Sequence, residues 1–326
     1  MPQMTMVKGL NLALHECMRE DPNVLVMGED VGRDEGVFRV TEGLLQAFGE
    51  ERCIDTPLAE AAIVGAAVGL CFTGFRPVCE MQFDGFSFQA FHQVEGHVRR
   101  FRNRTRGRFT CPMVIRMPYG GGIRAIEHHS EAPEATYAHL VGLKVVLPSG
   151  PRNARALLRS AILDPDPVVF FEPKAIYRAF REEVPEEPEC LPIGKGVVSR
   201  TGKDITLISY GAALRTTLEA AEDLFDEYDI DAEVLDLLSV APLDNELIHN
   251  SVRKTGRAVV VHEAPRHCGV GAEVVARIVE DSLLFLEAPI KRVTGFDTII
   301  PFFANERTYL PDTGRIVRAA LEVVRF

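Results

Sequence analysis

The sequence predicts an α/β protein built as two parallel-sheet domains, and three observations carry that prediction. Short apolar runs alternate with helical periodicity through the first half of the chain. The alternation lapses between about 173 and 192, where Glu182-Glu183-Val184-Pro185-Glu186-Glu187-Pro188-Glu189 is charged, proline-bearing and without an apolar period. A second α/β pattern resumes near Asp204. With 326 residues the chain is long for one core and comfortable for two. The expected domains are 1–185 and 204–326, joined by a linker over 186–203.

Taken in order, residues 5–19 place Met6, Leu10, Leu14, Cys17 and Met18 at a helical period, and Pro22 stops that helix. Val24-Leu25-Val26-Met27 reads as a short buried strand. Pro57 introduces an apolar, small-residue helix over 58–72, in which Ala61, Gly65 and Gly69 share one face where another backbone could approach. A strand over Arg76 to Phe83, a long helix over 86–102 and a strand over Pro112 to Met117 follow. Leu143 to Leu147, a helix over 151–163 and Val168 to Phe171 complete the first domain. In the second, strands are expected at 205–209, 232–235, 258–262 and 290–293, with helices near 211–226, 243–253, 271–281 and 312–324.

Composition excludes several classes. A net charge of -11 argues against nucleic acid as a partner, since phosphate binding needs clustered Lys and Arg. The one arginine-rich run, Arg99 to Arg108, reads as the solvated end of a helix or a docking surface for an acidic patch. The seven cysteines are odd in number and show no C-x-x-C spacing, so they read as buried thiols of a reducing compartment. No apolar run approaches the ~20 residues of a membrane span, and no signal-peptide pattern opens the chain. A cytoplasmic location is expected.

Four places carry candidate chemistry. Pro57 puts Glu60 near a helix N-terminus, where the dipole favours its carboxylate and desolvation favours its protonated form; the local pattern alone is that of a capping residue. His128 and His129 lie just beyond Gly120-Gly121-Gly122, where a histidine pair is more often structural or a surface feature than catalytic. Phe86, after Gln82-Phe83, is equally a core residue at a helix start or a stacking surface. Asp164 and Asp166 flank Pro165 in what reads locally as a turn.

The segment Asp55-Thr56-Pro57-Leu58-Ala59-Glu60, with the small-residue helix after it, resembles the signature helix of the β subunits of 2-oxo acid dehydrogenase E1 components. Gly74-Phe75-Arg76-Pro77-Val78-Cys79-Glu80-Met81-Gln82-Phe83 is similar to that family's next strand. The glycine run 120–122, His129-Ser130, Pro133-Glu134-Ala135, Gly142-Leu143-Lys144-Val145-Val146 and Lys254-Thr255-Gly256-Arg257 extend the likeness over nearly the whole chain.

The resemblance implies a transketolase-like, thiamine-diphosphate-binding pyrimidine domain and a transketolase C-terminal-like domain. It implies that Glu60 hydrogen-bonds N1′ of the cofactor's aminopyrimidine, a proton exchange that activates the cofactor to attack a 2-oxo carbon. It further implies that Phe86 stacks on that ring, that Gln82 lines the pocket, and that His129 moves protons during acyl transfer to lipoyl groups. A structural potassium ion would take the carbonyls of Met113, Ala161 and Ile162 in the loop bearing Asp164 and Asp166, oxygen ligands that suit a hard cation.

No Gly-Asp-Gly segment occurs, so Mg²⁺ and the diphosphate are expected on a separate α subunit, in an α2β2 heterotetramer serving a lipoyl-bearing E2. Leu286-Glu287-Ala288-Pro289-Ile290 and Arg292-Val293-x-Gly295-x-Asp297-Thr298 resemble branched-chain enzymes more than most pyruvate enzymes. The expected substrate is therefore a branched-chain 2-oxo acid, with pyruvate and acetoin enzymes as the alternatives. Two readings from other classes stand beside these. An inert scaffold subunit would have no need of both Glu60 and His129. An NAD-binding oxidoreductase would need the third glycine that Gly269-Val270-Gly271-Ala272-Glu273-Val274 lacks.

Overall fold

The computed structural model describes residues 2–326. The chain forms two compact units: Met1–Tyr119 with Thr136–Ile193, and Gly120–Ala135 with Gly194–Phe326.

In the first unit, six strands run parallel in the order Lys144–Val146, Val168–Pro173, Val114–Tyr119, Arg76–Glu80, Val24–Gly28 and Cys53–Asp55. Every residue of Val24–Gly28 is buried, the signature of a strand covered on both faces. Helix Met6–Glu20 packs on helix Pro151–Leu163 so closely that a Cβ on Gly9 would lie 2.6 Å from the Pro151 carbonyl oxygen. From Val24–Gly28 the chain steps outward to Cys53–Asp55, then crosses back to Arg76–Glu80 on the other side. Parallel sheets bind ligands at the carboxyl ends of strands around such a reversal. Glu29, Glu60 and Gln82 all follow these three strand ends.

In the second unit, five strands lie in the order Lys291–Gly295, Ala258–Pro265, Ile205–Ser209, Ala232–Asp236 and Val197–Arg200, the last antiparallel. Helices Ala213–Tyr228 and Thr313–Val324 bury Ala220, Leu224, Ile316 and Ala320 against Leu207, Val259 and Val261.

Three details depart from the sequence reading. The helix expected over 86–102 breaks after Gly96, where His97 leaves helical backbone, into shorter turns at Val98–Arg100 and Phe101–Arg104. Residues 197–200 are an edge strand rather than linker. The arginine run, as read, ends those helical turns in solvent: Arg99 and Arg100 pair with Glu95 and Arg102 pairs with Asp166 at 2.6 Å, while Arg104, Arg106 and Arg108 are exposed. Of the seven free thiols, Cys17, Cys53, Cys79 and Cys111 are buried as expected, but Cys190 and Cys268 are exposed. Among the described residues no helix is long and apolar enough to cross a membrane.

The Gly269–Gly271 segment opens helix Val270–Ser282, and its glycines have a steric cause. A Cβ at either position would lie within 2.8 Å of the buried His262 imidazole. That ring stacks on Tyr210 and accepts the Gly271 N–H at Nε2. Burial, then the charge of Arg292, pull its pKa from 6.5 down to about 4. Between those pH values the unfolded chain takes up a proton that the folded chain refuses. The contribution is therefore complete above pH 6.5 and is lost as pH falls toward 4, by about 3 kcal/mol. Thermal melts of His262→Gln across this window should show a shallower acid-side fall than the parent; parallel curves would contradict the assignment.

Candidate active site

Helix Glu60–Phe72 begins on Glu60 itself, two residues later than Pro57 suggested, because Ala59 keeps non-helical backbone. Glu60 is 3% exposed. The segment before it is tied to the neighbouring strand end: Thr56 N–H donates to the Gly28 carbonyl at 2.9 Å, and the Asp55 carboxylate accepts the N–H groups of Gly32 (2.6 Å) and Arg33 (3.0 Å). This clasp brings a second carboxylate to the helix start. Glu29 is 7% exposed, accepts the Ala59 N–H, and is raised above the ordinary carboxyl range by burial and then by the charges of Glu60 and Asp30. The Glu60 charge is thus one cause of the upward shift at Glu29, so the two carboxyl groups feel one another. Glu29 Oε1 is buried without a hydrogen-bond partner among the described residues. An open polar atom beside Glu60 fits a ligand ring bearing its own donors and acceptors, as an aminopyrimidine does.

Gln82 and Phe86 come to the same set of strand ends. Gln82 Nε2 donates to Asp30 Oδ2 at 2.8 Å; Asp30 holds a left-handed backbone (φ 57°) that few side chains tolerate. Phe86 ends the short turn Asp84–Phe86 and meets Phe83 edge-on at 6.1 Å. Below that turn, Lys174 Nζ pairs with Asp84 Oδ1 at 3.1 Å with both side chains fully buried. Tyr137 reaches Ser87 Oγ at 2.7 Å. The turn is thus pinned by charge and hydrogen bonds before any ligand arrives.

A larger buried charge cluster underlies the same strand. Arg116, 1% exposed, forks onto Glu172 at 2.7 and 2.8 Å and also pairs with Glu80, the last residue of strand Arg76–Glu80. Tyr177 donates its hydroxyl to Glu172 at 2.5 Å, and burial raises its pKa well above the ordinary value. Burial likewise raises the Glu80 carboxyl, against the opposing charge of Arg116.

His128 and His129 belong to the segment 120–135 of the second unit. Carboxylates hold this segment by its backbone: Glu263 accepts Gly121 N–H at 3.2 Å, and the buried Glu306 accepts Gly122 N–H at 3.0 Å and Arg124 N–H at 3.1 Å. Tyr210 donates to Glu134 at 2.8 Å. His129 Nδ1 lies 2.8 Å from the Glu127 carbonyl oxygen, which can only accept. Nδ1 therefore carries the hydrogen, and in the neutral ring Nε2 carries the lone pair a general base needs. His128 sits in left-handed backbone (φ 71°).

The expected cation loop lies in the first unit at the end of helix Pro151–Leu163. Pro165 has no N–H to offer the Ala161 carbonyl, and the helix end favours positive charge. Arg76 donates to the carbonyls of Ile162 (2.9 Å) and Asp164 (3.2 Å), Lys144 pairs with the Asp164 carboxylate at 2.6 Å, and Arg102 takes Asp166. The Met113 carbonyl accepts Val168 N–H at 3.0 Å. The Ile162 carbonyl and both carboxylates are thus already engaged by Arg76, Lys144 and Arg102, so an ion here would have to share its oxygens with cationic side chains.

Sequence reasoning missed Glu29, Asp30, the Lys174–Asp84 pair and the Arg116 cluster. For the last, a charged residue inside the apolar run 113–117 was the available signal.

Comparison with known proteins follows the same division. Residues 2–179 match the family described as transketolase, pyrimidine binding domain, and residues 194–316 match transketolase, C-terminal domain. Two curated relatives are the pyruvate dehydrogenase E1 component subunit beta of Staphylococcus epidermidis, 51% identical over 327 residues, and that of Staphylococcus aureus, 50% identical. Both alignments cover 100% of this chain and of the relative. A solved structure described as a split gene transketolase, inactive beta4 tetramer, superposes with a TM-score of 0.80 at 24% identity over 99% of each chain. That likeness concerns the fold, which is transketolase-like α/β with mainly parallel sheets. The branched-chain preference drawn from 286–298 finds no support among these relatives.

Proposed function

This chain belongs to the E1 β subunits of the thiamine-diphosphate-dependent 2-oxo acid dehydrogenases, and we propose that with an α subunit it decarboxylates pyruvate and passes the acyl group to lipoyl-lysine on E2. The observation that carries this reading is the buried Glu60 at a helix start, beside a second carboxylate with an open oxygen. Pyruvate rather than a branched-chain acid is favoured by full-length relatives of that specificity.

When bound, thiamine diphosphate supplies the carbon nucleophile and the electron sink. Glu60 would hold the aminopyrimidine and exchange a proton with it, with the raised carboxyl of Glu29 beside it. Phe86 would stack on the ring, and Gln82, through Asp30, would fix the edge of the pocket. His129 would accept or return a proton at Nε2 during acyl transfer. Magnesium and the diphosphate would be held mainly by the α subunit. Helix Glu60–Phe72 supports such a partner: it is apolar on nearly every side, yet Ala61, Ala62, Ala66 and Gly69 are exposed, with open space around a Cβ at Gly69.

The reconstituted α–β pair, assayed with pyruvate, 3-methyl-2-oxobutanoate and acetoin, should prefer pyruvate by about tenfold or more in kcat/KM, the effect of a few methylenes on pocket fit. Preference for the branched acid would restore the earlier expectation. In the same assays His129→Ala should damage reductive acylation more than decarboxylation; equal loss in both would remove His129 from acyl transfer. A potassium ion at Met113, Ala161, Ile162, Asp164 and Asp166 would be structural. Replacing sodium by potassium chloride at constant ionic strength should then raise Tm, and an unchanged Tm would argue that Arg76 and Lys144 alone neutralise the loop.

A further inference from the structure

The chain is acidic overall, and Arg99, Arg100 and Arg102 of its arginine run pair with carboxylates, yet one concavity of the second unit also collects positive charge. A pocket of about 260 Å³ lies where edge strand Lys291–Gly295, the last helix Thr313–Val324 and the turn after Ala258–Pro265 meet. Arg266, Lys291, Arg292, Arg315 and Arg318 line it against one carboxylate, Glu322, for a balance of five positive charges to one negative. Lys291 pairs with Glu322 at 2.8 Å, so the four arginines carry the excess.

Two of those arginines are held by carbonyl oxygens. Arg315 donates to the carbonyls of Tyr309 (3.3 Å), Leu310 (3.2 Å) and Thr294 (2.5 Å), and its guanidinium lies 4.5 Å over the Phe296 ring. Arg292 donates to the Arg266 carbonyl at 3.0 Å. Carbonyls orient a guanidinium without cancelling its charge, and an oriented fork loses less freedom on meeting an anion. Arg315 feels the Asp312 carboxylate and, against it, the like charge of Arg318, a repulsion that a bound anion would relieve. Guanidinium forks match phosphate oxygens in geometry as well as charge. The pocket is small and formed by three separate segments, which suits a compact anion better than an extended acidic peptide.

We propose that this pocket binds a phosphate or diphosphate group, free or carried by a small molecule, independently of the carboxylate site in the first unit. The test is calorimetric titration of the full chain with inorganic phosphate and, separately, inorganic diphosphate, with a metal chelator present so that no magnesium-dependent site contributes. Saturable binding at one site per chain is expected, together with a fall in affinity as salt rises above about 0.15 M. Arg266→Gln and Arg318→Gln, both at exposed positions, should each weaken binding by about tenfold or more, as loss of a charge-assisted contact does. Arg315→Gln should weaken it further but also loosens the last helix, so the two exposed variants decide. No saturable binding of either anion, or equal binding in both exposed variants, would overturn the proposal. So would tighter binding of a hexaglutamate peptide than of diphosphate, which would give the pocket to an acidic protein partner.

Discussion

Glu60→Gln should lower decarboxylation by the reconstituted pair about 10²- to 10⁴-fold, the range a positioned proton-transfer group contributes, while the α–β assembly still forms. The substitution keeps the shape and hydrogen-bonding capacity of the side chain at the helix start and removes only its ability to give up a proton. It also removes a negative charge from beside Glu29, so the Glu29 carboxyl should move back toward its ordinary range. A shift of the acid limb of the activity profile in Glu29→Gln, alongside the loss in Glu60→Gln, would show the two acting as a coupled pair. Near-normal turnover in Glu60→Gln would remove this residue from the chemistry altogether.

Arg116→Met should destabilise the chain by about 3–5 kcal/mol, the cost of stranding buried charge when one partner of a pair is removed. Arg116 is 1% exposed and serves Glu80 and Glu172 together, so its loss leaves two carboxylates in apolar surroundings at once. Domain stabilities of about 5–15 kcal/mol make that a large fraction of the total. Denaturant unfolding of the single variant, and of Arg116→Met combined with Glu80→Gln and Glu172→Gln, separates charge from packing. Recovery in the triple variant is the expected result, whereas a single-variant loss within ordinary surface values would mean the cluster contributes no net pairing.

How much of this was legible in the sequence depends on whether a feature is local. The helix after Pro57 and its leading glutamate are written in consecutive residues, and so is the alternation of buried strands and helices. Glu29 is different. It follows strand Val24–Gly28 by one position and carries no motif; only the adjacency of that strand to Cys53–Asp55 brings it to Glu60. The five cations of the second unit come from three segments between 266 and 318, so no window of sequence shows them as a cluster. Conversely, half of the arginine run that looked distinctive, Arg99, Arg100 and Arg102, pairs with Glu95 and Asp166. The break at Gly96 and the strand at 197–200 were hidden for the same reason, because tertiary pairing overrode weak local signals. The 286–298 likeness to branched-chain enzymes is not supported by the relatives, which are pyruvate dehydrogenase β subunits.

The helix that starts on Glu60 leaves a row of alanines and a glycine facing water, and this ties the reaction to the cell's handling of subunits. A chain synthesised in excess of its partner displays that face continuously, and such surfaces drive aggregation and attract chaperones. Substitutions that make the orphan subunit more soluble there sit within a few turns of Glu60, the carboxylate to which we assign the proton exchange. On our reading, a partner that covers this face would keep the chain soluble without making the helix more polar.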